Sequence, residues 1–274
     1  MAVVAYQGEV GAYSEEGAHA LFPDAEHHPF PSIRTVFESV EVGRAHWGLV
    51  PMDNSQAGSI NETYDLFLRH GLHLVGETIV RVDHCLLALP GTAIDDVHEV
   101  ISHPQAIAQC EEFLSALDAN VRAEYNTAGA AKRIADGKLA QTAAIASRRA
   151  AELYGLEVLA ERIQTYPDNY TRFGALSRDP APLGDPDKSS LVFGVGHVAG
   201  SLYRCLGSFA ERHVNLTKLE SRPRPGRPWE YVFYADVEAP AHRPEMVDAL
   251  AELSEHATFT RLLGTYASAV PRKP

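Results

Sequence analysis

The chain has 274 residues, of which 45% are hydrophobic and 22% charged, and its formal net charge is -12. This length and balance are typical of a globular protein with room for two domains. Binding to nucleic acid relies on a basic surface that releases counterions, so we expect no nucleic-acid partner.

The N-terminal stretch MAVVAYQGEVG lacks the basic region of a signal peptide, and its apolar run is too short to span a membrane. The 3 cysteines, Cys85, Cys110 and Cys205, are spaced for neither a disulfide framework nor a zinc site. We expect them to be small buried side chains in a reducing compartment. We therefore predict a cytoplasmic protein with no membrane partner.

The first two thirds of the chain repeat one pattern: a short apolar strand, a polar turn that can cap a helix, and an amphipathic helix. Predicted strands cover residues 3–6, 47–50, 97–101, 123–125 and 142–145. After the third strand, Pro104 stands in the first turn of a helix, where its missing N–H does no harm. This alternation predicts an α/β fold with largely parallel sheets, whose ligands bind beyond the carboxyl ends of the strands.

The segment PAPLGDPDKSS, residues 180–190, is typical of a linker, and we place a domain boundary there. The elements predicted beyond it are a strand at 190–195, a helix at 201–213, strands at 214–220 and 230–237, a helix at 244–256 and a strand at 259–266. This βαββαβ order is the ferredoxin-like plan.

The stretch PMDNSQAGSINE stands between a predicted strand and a predicted helix. Ser59 and Glu62 have the S-x-x-E spacing of a capping box, which predicts a helix start. Asn54, Ser55 and Gln56 lie just before it, where free backbone N–H groups favour an anion. The alternative is that these residues only cap the helix, which is the commoner use of serine and asparagine.

Two further helix starts carry candidate binding residues. In SHPQA, Ser102 and His103 precede a helix, and the histidine can either donate to a ligand or bond only to the local backbone. In NTAGAA, Thr127 can cap the helix, and small side chains such as Ala128 let a ligand approach the backbone. Several such loops at one edge of an α/β fold predict that helix N-termini together hold carboxylates.

The stretch NYTRF places Thr171, Arg172 and Phe173 side by side. Pro167 and Asn169 just before them indicate a turn or an extended segment. Arg172 is suited to a bidentate contact with a carboxylate. The alternative is an edge strand on which the three side chains alternate between faces.

A glycine-rich turn, GVGHVAG, imitates a dinucleotide-binding fingerprint. Gly194, Gly196 and Gly200 follow a strand and open a helix, but the last interval is one residue too long. Too little chain remains for a doubly wound sheet. We therefore expect no nicotinamide cofactor here.

In their order along the chain, the motifs resemble the prephenate dehydratase family with a C-terminal ACT domain. They are AYQGEVGAYSEEGA, VPMDNSQAGSINETYDLF, SHPQAIAQCEEFL, NTAGAA, AAIASRRAAELYGLEVLAERIQ, NYTRF and NLTKLESRP. The resemblance covers nearly the whole chain and implies a catalytic domain at residues 1–180 followed by a ferredoxin-like ACT domain at 188–268. Within the catalytic domain it implies two subdomains like those of a type 2 periplasmic-binding protein, residues 1–77 with 167–180 and residues 78–166.

The resemblance implies that the small-molecule substrate prephenate loses water and carbon dioxide to give phenylpyruvate, in phenylalanine biosynthesis, with no metal or organic cofactor. Thr171 would assist the departing hydroxyl, Arg172 would hold a carboxylate, and Phe173 would pack near the ring. The candidate substrate-binding residues are Asn54, Ser55, Gln56, Ser102, His103, Thr127 and Ala128.

The ACT domain is expected to bind phenylalanine, to inhibit the enzyme, and to pair subunits into a homo-oligomer, a dimer or a tetramer. The residues predicted to bind phenylalanine are Gly200, Ser201, Leu202, Asn215, Leu216, Glu220, Ser221, Arg222 and Pro223. Two alternatives stay open: arogenate dehydratase, because YQGEVGAYSEEGA also resembles that branch, and a non-catalytic amino-acid sensor.

Overall fold

The structure, a computed structural model, describes residues 2–224, 226–227 and 229–269. The chain forms two compact units. Unit 1 holds the residues up to Thr63 and Thr78–Phe173, and unit 2 holds Tyr64–Glu77 and Gly174–Ala269. The division near the end of the first domain therefore falls between Phe173 and Gly174, ahead of the boundary predicted at 180–190.

Strands and helices alternate along much of the chain. The strands are β1 Val3–Gln7, β2 Glu26–Phe30, β3 Trp47–Asn54, β4 Gly58–Ser59, β5 His73–Arg81, β6 Cys85–Ala88, β7 Glu99–Ser102, β8 Asn120–Ala123, β9 Thr142–Ala146, β10 Glu157–Glu161, β11 Tyr170–Ser177, β12 Lys188–Val195, β13 Leu216–Pro223, β14 Tyr231–Val237 and β15 Ala257–Tyr266. The helices are α1 Tyr13–Leu21, α2 Ile33–Glu41, α3 Asn61–Arg69, α4 Pro104–Gln109, α5 Glu111–Ser115, α6 Thr127–Gly137, α7 Arg148–Tyr154, α8 Ser201–Ala210 and α9 Pro244–His256.

Two sheets carry the elements of the first two thirds of the chain. The first has the order β2-β1-β3-β11-β5, with β4 paired to β3, and the second has the order β10-β6-β9-β7-β8. β1 runs parallel to β2 and β3, and β7 runs parallel to β8 and β9. β6 is antiparallel to both of its neighbours. The α/β prediction is confirmed, but the sheets are mixed rather than largely parallel.

Three local predictions need correction. The helix expected after Pro104 is two helices, because Cys110 between them has φ -109° and ψ 19°, outside the helical region. The capping-box prediction places the start of α3 one residue too early, and Ser59 instead pairs in β4. The segment NYTRF is not an edge strand, because β11 lies between β3 and β5.

Unit 2 contains the predicted βαββαβ order, in β12, α8, β13, β14, α9 and β15. Its sheet has the order β13-β14-β12-β15, and every pairing is antiparallel. α9 has the predicted bounds, whereas α8 ends three residues early. Beyond Ala210 the N–H groups of Arg212 and His213 bond to the third residue back, as in a 3₁₀ turn. The chain then leaves the helix at His213, whose left-handed φ of 57° lets the Val214 N–H donate to the Phe209 carbonyl.

Unit 2 also includes most of α3 and the start of β5. The Tyr234 hydroxyl donates to the carbonyl of Tyr64 at 2.6 Å, and Arg261 Nη2 donates to the carbonyl of Leu72 at 2.9 Å. These bonds to backbone atoms explain why Tyr64–Glu77 belongs to this unit. Among the described helices, none is long and apolar enough to cross a bilayer.

Candidate active site

Unit 1 contains a cavity of about 460 Å³ whose wall is built from the starts of helices. α1, α2, α3, α4 and α6 all reach it with their first residues or the residues just before them. The polar residues of the wall are Gln7, Tyr13, Ser14, Ser32, Asn54, Glu62, His84, His103, Gln105, Gln109, Tyr125, Asn126, Thr127 and Thr171. No lysine or arginine lines the cavity among the described residues. Backbone N–H groups and neutral side chains are therefore its main donors.

Side chains at the cavity cap two of the helix starts. Ser32 caps α2 by accepting from the Thr35 N–H at 3.2 Å, and Thr35 completes a capping box. Asn126, rather than the predicted Thr127, caps α6 by accepting from the Gly129 N–H. Asn126 is 9% exposed, and its Nδ2 has no hydrogen-bond partner among the described residues. A buried amide donor without a partner is ready to bind a ligand oxygen.

The TRF segment presents its side chains to two faces of β11. Thr171 and Phe173 both line the cavity, as alternate residues of a strand share a face. Arg172 does not line it, and its Nε donates to Asp53 Oδ2 at 2.8 Å. Direct binding of a substrate carboxylate by Arg172 stays a prediction, and in this structure its guanidinium bonds to Asp53 on the neighbouring strand.

Three side-chain amides from distant parts of the sequence close a hydrogen-bonded ring, which we call the amide ring. Asn54 Nδ2 donates to Asn169 Oδ1 at 2.8 Å, and Asn169 Nδ2 donates to Gln109 Oε1 at 3.0 Å. Gln109 Nε2 closes the ring by donating to Asn54 Oδ1 at 3.3 Å. Asn54 and Gln109 also line the cavity, and Asn54 Nδ2 lies 3.1 Å from Thr171 Oγ1.

Two histidines in the wall favour the neutral form. Burial lowers the pKa of His84, although its hydrogen bond to Gln109 and the carboxylate of Asp83 act in the opposite direction. Burial also lowers the pKa of His103, whose Nδ1 accepts from the Gln105 N–H at 3.2 Å and so caps α4. Neutral His103 therefore carries its proton on Nε2, where it can donate.

Several predicted site residues lie away from the cavity. Ser55 Oγ donates to the carbonyl of Asp168 at 3.0 Å, and Gln56 Nε2 donates to the carbonyl of Tyr166 at 3.1 Å. Both side chains therefore connect the turn after β3 to the segment before β11. Ser102 and Ala128 are buried, and the Ser102 hydroxyl donates to the Ile145 carbonyl at 2.6 Å. Their role in substrate binding stays a prediction, and the contacts seen here are structural.

The residues predicted to bind phenylalanine lie in unit 2 around separate depressions. Gly200, Ser201 and Leu202 line one, and Asn215 and Leu216 line another between α8 and β13. The remaining four, Glu220, Ser221, Arg222 and Pro223, form the end of β13. The phenylalanine site stays a prediction.

Sequence reasoning missed Tyr13, His84, Gln109 and Asn126 as wall residues. Gln109 could have been found, because it follows Gln105 by four positions and so shares a helix face with it. Asn126 could have been preferred as a cap because asparagine outranks threonine there. His84 offers no such signal, since a single histidine before an apolar strand is usually a packing residue.

A cavity bordered by the starts of several helices, in an α/β unit, is typical of a class of protein that binds a small anionic molecule. A family model described as prephenate dehydratase matches residues 4–181. The chain belongs to the prephenate dehydratase family, and the predicted class of enzyme, a carbon–oxygen lyase, is confirmed by this match and by named relatives.

Two curated relatives are each 46% identical to this chain and match 96% of it. They are arogenate dehydratase 1 of Petunia hybrida and arogenate dehydratase/prephenate dehydratase 6, chloroplastic, of Arabidopsis thaliana. The alignments cover 66% and 68% of these relatives, so the chain spans about two thirds of their length. The predicted cytoplasmic location is contradicted, because several relatives carry the name chloroplastic. The composition of the first residues and the spacing of the cysteines were not sufficient to assign a compartment.

Two solved structures match almost the whole chain. Prephenate dehydratase of Arthrobacter aurescens, in complex with L-Phe, has a TM-score of 0.88 at 32% identity, over 97% of this chain and 90% of that one. A protein described as a novel type of quorum quenching acylase also has a TM-score of 0.88, at 35% identity, over 98% of both chains. The similarity extends through the βαββαβ part of the fold.

Proposed function

We propose that this chain is a decarboxylating dehydratase whose active site is the unit 1 cavity and whose substrate is arogenate, with prephenate as the second candidate. The observation that carries the proposal is the position of Thr171 and Phe173, which face one cavity together with the starts of five helices. Such a cavity suits a substrate with two carboxylates and a leaving hydroxyl on an apolar ring. The helix starts would hold the carboxylates, and Phe173 would pack near the ring.

In the proposed reaction the ring hydroxyl and the ring carboxylate leave together. The C–O bond breaks, and the departing oxygen takes a proton through the Thr171 hydroxyl and leaves as water. The bond from the ring to its carboxylate breaks as carbon dioxide leaves, and that electron pair becomes the new ring double bond. Threonine is a weak acid, so Thr171 regains its proton from water and acts by position rather than by ionising. Aromatisation of the ring lowers the demand on this acid.

Charge in the cavity wall favours arogenate over prephenate. Arogenate carries an ammonium group on its side chain where prephenate carries a keto group. Glu62 is exposed and is the single carboxylate among the described wall residues. Its negative charge would attract the ammonium group and would repel the dianionic prephenate. The names of the relatives support the same preference and replace our expectation of prephenate.

Unit 2 is proposed to be an ACT domain that binds phenylalanine and lowers activity. The supporting observations are its βαββαβ order and the L-Phe complex of the related prephenate dehydratase. A homo-oligomer, dimer or tetramer, is part of this proposal.

The test is product formation by the purified chain from arogenate and, in parallel, from prephenate, with and without phenylalanine. We expect a higher kcat/KM for arogenate, inhibition by phenylalanine, and loss of turnover in Thr171→Ala. A higher kcat/KM for prephenate would overturn the choice of substrate. Absence of turnover with both would overturn the enzymatic proposal and favour the amino-acid sensor.

A further inference from the structure

The segment between β1 and α1 is bonded to the start and the end of α7. The Val10 carbonyl accepts from the Tyr154 hydroxyl at 2.6 Å, and the Gly11 carbonyl accepts from Ser147 Oγ at 2.8 Å. Both bonds reach backbone atoms, and neither lies on the exposed surface. The backbone next to Glu9 is therefore held in one position.

The Glu9 side chain bonds to Tyr125, which lies between β8 and α6. Glu9 Oε1 accepts from the Tyr125 hydroxyl at 2.5 Å, and Glu9 Oε2 accepts from Lys132 Nζ at 3.2 Å. Burial and the hydrogen bond to Glu9 raise the pKa of Tyr125 to about 12, so the phenol keeps its proton and donates. Since β1 belongs to the first sheet and β8 to the second, this contact joins the parts of unit 1 that the two sheets form.

Tyr125 lies at the mouth of the cavity. It is 56% exposed, whereas Asn54 and His84 in the same wall are 5% and 2% exposed. A residue that borders both the cavity and the solvent marks the place where the cavity opens. Gly129 in the first turn of α6 leaves room for the Tyr125 ring, because a Cβ there would lie 2.7 Å from Tyr125 Cε1. The ring therefore has a defined position at the mouth.

The bonds that keep the ring in this position can open readily. The Glu9 and Lys132 side chains are 27% and 46% exposed, and exposed pairs exchange with water at small cost. Closure of an active site over its substrate excludes water and completes the wall. We propose that Tyr125 closes the mouth of the cavity over bound substrate and that Glu9 is a positioning residue that holds Tyr125 in the closed position. This inference rests on the proposed function.

Tyr125→Phe tests the inference because it removes the bond and keeps the ring. Without the bond the closed position is populated only in part, and the apparent affinity for substrate falls by that fraction. We expect the KM for arogenate to rise about fivefold, the scale of one exposed pair, and kcat to stay within about twofold, since the bound substrate still packs against the ring. Tyr166→Phe is the matched control, because Tyr166 is 67% exposed and does not line the cavity.

Glu9 variants show whether Glu9 acts through Tyr125. Glu9→Ala breaks the same bond from the other side and should raise KM about as much as Tyr125→Phe does. The double variant should show no further rise, because the bond is already absent. Glu9→Gln keeps an acceptor oxygen and should raise KM less than Glu9→Ala. Tyr125→Ala also removes the ring, so its KM should exceed that of Tyr125→Phe.

The outcomes separate this inference from the proposed function. If the unmodified chain is active, an unchanged KM in Tyr125→Phe would overturn the closing role alone. Increases in KM that multiply in the double variant would overturn the role of Glu9, because the two side chains would then act independently. A KM for Tyr125→Ala no higher than that for Tyr125→Phe would show that the ring does not cover the substrate. If the unmodified chain turns over neither arogenate nor prephenate, the proposed function fails and the inference fails with it.

Discussion

Each unit contains a buried polar cluster, but the cluster in unit 1 is made of neutral groups and the cluster in unit 2 is made of ions. In unit 1, the amide ring is made of neutral groups whose orientation is set by backbone donors. In unit 2, Lys188 Nζ lies 3.1 and 3.0 Å from the two oxygens of Glu77 and 3.6 Å from Asp236 Oδ2. A neutral ring fixes the direction of hydrogen bonds and leaves no net charge to repel an anionic substrate. A buried ion cluster instead holds segments together and is costly when one member is lost.

The largest effect is expected where the charged cluster loses its cation. Lys188→Met leaves Glu77 and Asp236 buried without their cation, since both side chains are nearly inaccessible. We expect a loss of about 3 to 5 kcal/mol in the free energy of unfolding, measured by urea denaturation. Lys132→Met, which breaks an exposed pair with Glu9, should cost no more than about 1 kcal/mol. Equal losses of unfolding free energy in the two variants would mean that burial does not decide the cost of removing the lysine.

The free energy of unfolding should fall in acid because of His84, the buried histidine that bonds to Gln109 of the amide ring. The folded-state pKa of His84 is below its usual value of 6.5, so below that pH the unfolded chain takes up a proton that the folded chain does not. Stability is therefore present at neutral pH and is lost as pH falls, by up to about 1.4 kcal/mol per pH unit. His84→Gln should flatten this dependence in urea denaturation between about pH 7.5 and 5.5, whereas His28→Gln at an exposed site should not. An unchanged slope in His84→Gln would contradict a buried neutral histidine.

The smallest effect concerns Glu62, the carboxylate that the described residues contribute to the cavity wall. Glu62→Gln removes the charge that is proposed to attract the ammonium group of arogenate. We expect the ratio of kcat/KM for arogenate to that for prephenate to fall about fivefold, the scale of one exposed charge pair. Glu26→Gln, at an exposed position of β2, is the matched control. A ratio that stays constant in Glu62→Gln would show that Glu62 does not select the substrate.

Patterns of nearby residues predicted much of the fold. The bounds of α9 followed from its proline start, and the βαββαβ order followed from alternating apolar runs. The roles of Thr171 and Phe173 were predicted from the resemblance to the prephenate dehydratase family, and both side chains line the cavity. The break at Cys110 was not predictable, because Glu111 and the residues after it continue a helical pattern and only tertiary packing separates the two helices.

The amide ring could not be predicted from the sequence, because its members meet only in the folded chain. Its members, Asn54, Gln109 and Asn169, are separated by 55 and 60 positions along the chain. No helical or strand period relates such positions, and asparagine in a turn is commonly explained by local capping. The partner of Arg172, Asp53, was missed for a similar reason. The two residues are distant in sequence, and they become neighbours only because β3 and β11 are adjacent in the sheet.

The most direct test of the central claim is kcat with arogenate for the unmodified chain, Thr171→Val and Thr171→Ser. Valine keeps the branched shape and the strand preference of threonine and removes only the hydroxyl, whereas serine keeps the hydroxyl. We predict that Thr171→Val loses about 1000-fold in kcat and that Thr171→Ser stays within about tenfold of the unmodified chain. A folded Thr171→Val variant that retains most of the activity would contradict the assignment of the cavity hydroxyl as the group that assists the leaving oxygen.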